Sequence, residues 1–152
     1  MESIQFRKPE TVDEAVKLLQ GADGDARILA GGTDLLVQLR AHMIDPGVIV
    51  DIKSIAETRE LTKNDDGSYT IGAAVAGAEA HERDDITADW PGVIEAWDLI
   101  GSTQIQGRAS LGGNLCNASP AGDSVPAMVA AGMTANIAGP EGRRTLPVEK
   151  IT

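Results

Sequence analysis

Two short segments carry the residue types that could hold an anion: Ala30-Gly31-Gly32-Thr33-Asp34 and Ser110-Leu111-Gly112-Gly113-Asn114. Each sets a pair of glycines beside small hydroxyl or amide side chains. Each follows a short run that reads as a strand. Glycine lacks a Cβ and tolerates positive φ, so the backbone of such a segment can approach a ligand closely. Successive N–H groups in such turns form a concave nest for anions. One segment of this kind is satisfied by an ordinary tight turn. Two in one small chain read as opposite jaws of a clamp for a diphosphate.

Around the first jaw, Thr33 offers a hydroxyl donor. Asp34 opens a helix whose first N–H groups suit phosphate oxygens. Its own carboxylate is expected to cap that helix or to accept a ribose or ribityl hydroxyl. Around the second jaw, the stretch Gly112 to Asp123 reads as long, irregular and poor in charge. Such stretches are functional or disordered more often than structural. Asn114 and Asn117 offer both donors and acceptors. Asp123 can accept two hydroxyls or cap the next helix. Cys116, the single cysteine, excludes an internal disulfide and reads as a small packed side chain rather than a nucleophile, with no His or Lys beside it. His42 and His81 stand apart, with no metal or triad spacing around them. A Gly-x-Gly-x-x-Gly fingerprint and a Walker loop are both missing; with no nucleophile elbow and no converging histidines either, any chemistry is expected to come from a cofactor.

The elements that position the jaws follow from the hydropathy pattern. Ile4 to Arg7 reads as a strand. Thr11-Val12-Asp13-Glu14 matches a capping box and opens a helix. Arg27 to Ala30 is a second strand, Asp34 to Ala41 a helix, and Val48 to Ile52 a third strand whose unbroken apolar run predicts burial on both faces. This alternation predicts a small parallel or mixed sheet with packed helices. Ser54 to Glu60 reads as a connection. Leu61-Thr62 and Tyr69 to Gly72 predict a hairpin. Ala73 to Arg83 reads as a helix. Asp89-Trp90-Pro91 reads as the capped start of another, running to about Ile100. Thr103 to Ala109 leads into the second jaw. Asp123 to Ala131 reads as a helix capped by Asp123 or Ser124. Thr134 to Ala138 and Arg143 to Leu146 predict a second hairpin.

The chain has 152 residues and a formal charge of −10, with four aromatic residues: Phe6, Tyr69, Trp90 and Trp97. The core must rest on Ala, Val, Leu and Ile. Without a Lys/Arg stripe, the sequence does not point to nucleic-acid binding. The negative field opposes anionic ligands, so local donors must outweigh it. Hydrogen bonds to a charged group contribute about 1.5–3 kcal/mol each, enough for four or five aimed amides to do so. The start, Met1 to Gln5, lacks a signal-peptide pattern, and no apolar run reaches a membrane span. A cytoplasmic protein is the expectation.

Leu29-Ala30-Gly31-Gly32-Thr33-Asp34-Leu35 resembles the first pyrophosphate loop of the FAD-binding medium subunits of molybdenum hydroxylases, the carbon monoxide dehydrogenase and xanthine dehydrogenase family. Gln104 to Asp123, with Ser110-Leu111-Gly112-Gly113-Asn114 at its centre, is similar to that family's second loop at nearly every position. The resemblance implies an α+β fold of the vanillyl-alcohol-oxidase type (PCMH-type). It has a small N-terminal α/β lobe, residues 1–55, and a larger α+β lobe, residues 56–152, with FAD extended between them. It implies that Leu29, Ala30, Gly31, Gly32, Thr33, Asp34 and Leu35, with Ser110, Gly112, Gly113 and Asn114, hold the diphosphate. Asn117 and Asp123 would take ribityl or ribose hydroxyls. Ile100 would pack on the cofactor, and Thr103 lies in the same stretch.

The implied role is a flavin station. A molybdopterin-containing large subunit hydroxylates a substrate, a small subunit with two iron–sulfur (2Fe–2S) clusters carries the electrons, and FAD passes them to NAD or a quinone. The family's C-terminal domain is missing from this sequence, which implies weak or absent FAD in the isolated chain. Two other readings stay open: a non-redox interaction module of the same fold, and a nucleotide-sugar-binding relative.

Overall fold

The computed structural model describes residues 4–151. Residues 1–3, within the start that lacks a signal-peptide pattern, and Thr152 lie outside the described residues. Strands β1 (Gln5–Arg7), β2 (Ala26–Leu29) and β3 (Val48–Asp51) form one parallel sheet in the order β1-β3-β2. All four residues of the central strand β3 are buried, as its apolar run predicts. Helix α1 (Val12–Gln20) is capped by Thr11, whose Oγ1 accepts from the Glu14 amide at 3.1 Å. The Glu14 carboxylate in turn accepts from the Glu10 amide at 2.9 Å. One face of α1 joins Val48, Val50 and Ile52 in a core that also takes in Ile55 and Ala74.

Helix α2 (Leu35–Arg40) follows the first glycine segment. The connection Ser54 to Glu60 is wound into two 3₁₀ turns. The first hairpin pairs β4 (Leu61–Lys63) with β5 (Tyr69–Ile71), antiparallel, with Leu61 opposite Ile71. The expected helix over Ala73 to Arg83 shrinks to α3 (Gly77–His81). The reason lies in where residues 74–76 spend themselves. Ala74, Val75 and Ala76 are almost fully buried, and the Ala74 amide donates to Thr58 O at 2.8 Å rather than to a helical partner. Ala74 packs into the sheet's core while Val75 packs into the second core, so this segment sews the two together.

Two further helices, α4 (Asp84–Asp89) and α5 (Pro91–Asp98), follow. Asp89 ends α4 and does not cap α5. Its carboxylate instead accepts from Lys63 Nζ at 2.6 Å and Tyr69 OH at 2.8 Å. Pro91 sits in the first turn of α5, as expected. Trp97 on α5 is buried at the centre of the second core with Ile86, Ile94, Leu111 and Leu115. Helices α6 (Thr103–Gln106), α7 (Leu111–Asn117) and α8 (Val125–Ala130) precede the second hairpin, β6 (Thr134–Gly139) with β7 (Gly142–Pro147).

The run before the second glycine pair is therefore helical, not a strand. Gly101 turns the chain at φ +70, and the Ile105 and Gln106 amides fold back onto Ser102 O. The segment has no neighbouring strand to pair with, and Ile105 turns inward over Gly101.

A candidate diphosphate site between two glycine segments

The first glycine segment leaves β2 as an irregular turn. Gly31 is buried, and a Cβ there would meet the closest contact of any glycine among the described residues. A Cβ there would lie 2.1 Å from Arg108 O and 3.2 Å from Ala109 Cα. The first glycine segment is thus in direct backbone contact with the residues that lead into the second, across 77 residues of sequence, and only glycine permits it. Gly32 adopts φ +78, the left-handed region, which turns the chain into α2. Among the described residues, the amides of Gly31, Gly32, Thr33 and Asp34 donate to no other group.

The second segment corrects the expectation of an irregular loop. Gly112 and Gly113 lie in the first turn of α7, which Ser110 caps: its Oγ accepts from the Gly113 amide at 3.1 Å. The signal was present in the sequence as an N-cap serine followed by Leu111 and Leu115, four residues apart, both buried. Gly112 is needed for packing, since its Cβ would lie 2.8–2.9 Å from Ala73. The Gly113 Cβ position lies 3.9 Å from Ala30 Cβ, so this glycine faces the first segment. Ser110, Leu111 and Gly112 keep amides without partners among the described residues. The preceding Ala109 O accepts from both Trp97 Nε1 (3.1 Å) and the Gly77 amide (2.9 Å), which ties this jaw to the core.

The polar side chains around the jaws form two chains of hydrogen bonds. Gln38 on α2 donates to the Asp34 carboxylate and, at 3.4 Å, to Asn117 Oδ1. It bridges the jaws, and pattern reading did not single it out. Asp34 does not cap α2; its carboxylate is occupied by Gln38. On the other side, the buried Ser124 Oγ donates to Asn114 Oδ1 at 2.7 Å. That leaves the Asn114 amino group as a free donor. Neither Asp123 nor Ser124 caps α8 through its side chain. Asp123 is exposed, just ahead of Ser124.

Beneath the first segment, Lys53 Nζ donates to Ala30 O at 2.9 Å and to Asp51 Oδ1 at 2.7 Å. Burial alone would raise the Asp51 pKa. The side-chain and backbone hydrogen bonds from Lys53, with its charge, together outweigh that and hold it below the ordinary carboxylate value. Arg108 Nε donates to Gly31 O at 3.0 Å. The sequence pattern marks amides, hydroxyls and asparagines at the jaws and marks neither cation, because neither belongs to a basic cluster.

Leu29 is buried beneath the first jaw, and Leu35 and Thr33 are half-buried beside it. Ile100 packs on the core around Trp97, and Thr103 opens α6 on the surface. Cys116 is exposed rather than packed away. Desolvation by the surrounding chain pushes its thiol pKa up, which keeps it protonated. His42 is exposed, and His81 contacts Asp98 at 2.8 Å. No helix among the described residues is long and apolar enough to cross a membrane.

A family described as the FAD binding domain in molybdopterin dehydrogenase matches residues 2–152. The xanthine dehydrogenase FAD-binding subunit of Escherichia coli O157:H7 is 35% identical over 94% of this chain and 49% of its own length. The carbon monoxide dehydrogenase medium chain of Hydrogenophaga pseudoflava is 30% identical over 96% of this chain and 50% of its own. The chain spans about half the length of these curated relatives. Among solved structures, a carbon monoxide dehydrogenase from Hydrogenophaga pseudoflava lacking the Mo-pyranopterin moiety superposes with a TM-score of 0.90. It shares 31% identity and covers 96% of this chain and 50% of that one. Quinoline 2-oxidoreductase from Pseudomonas putida 86 superposes with a TM-score of 0.86 at 26% identity, over 96% of this chain and 50% of its own.

Proposed function

The chain belongs to the family of FAD-binding domains of molybdopterin dehydrogenases, and from that premise we propose that its two glycine segments grip the diphosphate of FAD. The observation that carries the reading is the Gly31–Arg108 backbone contact. It sets side by side two segments whose amides, at residues 31–34 and 110–112, have no partners among the described residues, in a chain of net charge −10. Such a field repels a diphosphate at long range, so short-range donors must supply the affinity. The residues present fit the group: amide donors without partners among the described residues, no side chain at Gly31, Gly112 or Gly113, and the Asp34 carboxylate engaged by Gln38.

In this reading Thr33 and the amino group of Asn114 add donors to the phosphates. Asn117 and Asp123 take ribityl or ribose hydroxyls, and Ile100 and Thr103 border the ring system. The lobes 1–55 and 56–152 lie on either side. Bound FAD supplies the redox chemistry at its ring. The chain binds it, orients it and keeps the phosphate oxygens off water.

For the whole protein we propose an electron-relay role. A large subunit with molybdopterin oxidises a substrate that this chain does not touch. A small subunit with two iron–sulfur clusters delivers the electrons to FAD, which gives them to an acceptor such as NAD or a quinone.

The test is flavin binding, measured by quenching of flavin fluorescence. It is done on this chain and on the assembly it forms when co-expressed with its neighbouring subunits. Bound FAD released only on denaturation supports the reading. An assembly that purifies intact and colourless, and takes up no added FAD, sinks it.

A further inference from the structure

The first glycine segment has two carbonyls that are not left to chance. Ala30 O is held by Lys53 Nζ at 2.9 Å, and Gly31 O by Arg108 Nε at 3.0 Å. A trans peptide points its N–H opposite to its C=O. Fixing Ala30 O therefore fixes the direction of the Gly31 amide, and fixing Gly31 O fixes that of the Gly32 amide. Both amides lack partners among the described residues. We propose that Lys53 and Arg108 are positioning residues: they clasp two successive carbonyls and so aim the Gly31 and Gly32 amides at the diphosphate. This rests on the diphosphate reading given above.

Each cation is itself held or freed in a way that suits the task. Lys53 is locked from behind by Asp51, a carboxylate only 6% exposed that lies on β3 opposite Leu29. Arg108 comes from the opposite jaw and pairs with no carboxylate among the described residues. Its one bond therefore makes the aim of the first jaw depend on the placement of the second. Both side chains also put positive charge behind the loop in a strongly acidic protein, without occupying the face where the amides point.

The test uses the full chain, labelled with ¹⁵N, titrated with ADP as the diphosphate probe. In the unaltered chain, the Gly31 and Gly32 amide resonances should be among those that move most. Arg108→Met and Lys53→Met should each weaken ADP by about tenfold and shrink those two responses, with the Gly113 response retained. Arg108→Lys, which keeps a donor, should recover part of the loss. A purely structural role would lower the urea midpoint without this selective change in two amides.

Lys53→Met strands the buried Asp51 and can fail to fold; Arg108→Met then decides alone. Unaltered ADP affinity in Arg108→Met overturns the inference, and so does a loss in which Gly31 and Gly32 still respond as before. An unaltered chain and assembly that bind neither ADP nor FAD overturn the diphosphate reading itself, and this inference with it.

Discussion

The two glycine segments look alike in sequence and are built on opposite principles. The first is a turn with no helix across its glycines. Gly32 is there for its φ of +78, and Gly31 for the space it leaves to Arg108 O. The second is the opening of a helix. Gly112 and Gly113 have helical conformations and are held by the Ser110 cap, with Leu111 and Leu115 as anchors in the core. The first jaw is held at two carbonyls by the side chains of Lys53 and Arg108; the second is shaped by its own helix and is held from outside only at Ala109 O, just ahead of it. The lesson is that a glycine pair advertises bare backbone without saying how the backbone is shaped. The first jaw has no regular hydrogen-bond ladder to rigidify it, so it depends on Lys53 and Arg108. The second has the hydrogen bonds of α7 and needs outside donors only at Ala109 O.

That contrast predicts where a single methyl group does most harm. Gly31→Ala is expected to be the most damaging change. The new Cβ would fall 2.1 Å from Arg108 O and 2.8 Å from Arg108 C, both backbone atoms that cannot rotate away. Overpacking of this kind costs about 1–3 kcal/mol or more. Urea unfolding should show the loss, and flavin binding should vanish with it because the jaws are forced apart. A variant that stays within experimental error of the parent in both would show that the jaws are not in contact. Gly32→Ala comes next. Its strain is conformational, about 1–2 kcal/mol for a left-handed alanine. The closest atom, Leu29 Cδ1 at 2.6 Å, is the tip of a side chain that can swing aside. Its effect on the urea midpoint should be smaller than that of Gly31→Ala. The reverse order would mean that φ, not close approach, governs the first jaw.

Much of this architecture could be read directly from residue order. The capping box at Thr11, the unbroken apolar run of β3, both hairpins and the two glycine pairs all announce themselves by residue type and local order, even where the contacts that use them are distant. What stayed hidden depends on distant partners. The segment Ala73 to Ala76 has helical composition, but Thr58 and two separate cores claim it. Asp89 has the type of an N-cap, but Lys63 and Tyr69 take its carboxylate. At the site, the glycines and asparagines were legible by type. Lys53, Arg108 and Gln38 were not, since nothing local marks a lone cation or amide as the partner of a carbonyl many residues away.

The second jaw should respond to loss of its cap and hardly at all to an added methyl. Ser110→Ala removes the hydroxyl that accepts from the Gly113 amide at 3.1 Å. A lost N-cap costs about 1 kcal/mol, to be read as a lower thermal midpoint. Gly113→Ala is the finer probe and the smallest expected change in stability. Alanine inside a helix gains up to about 1 kcal/mol over glycine. Against this stands one tight contact, 3.0 Å to Ser110 Oγ, the capping atom itself. The two terms nearly cancel, so the midpoint should stay close to that of the parent. The ligand should nevertheless feel the change. The next atom in that direction is Ala30 Cβ, 3.9 Å away on the opposite jaw, so the methyl enters the gap where the diphosphate is proposed to lie. Weaker ADP binding at unchanged stability would separate the two uses of glycine in this molecule. Equal ADP binding would move the ligand away from α7 and leave the first jaw to act alone.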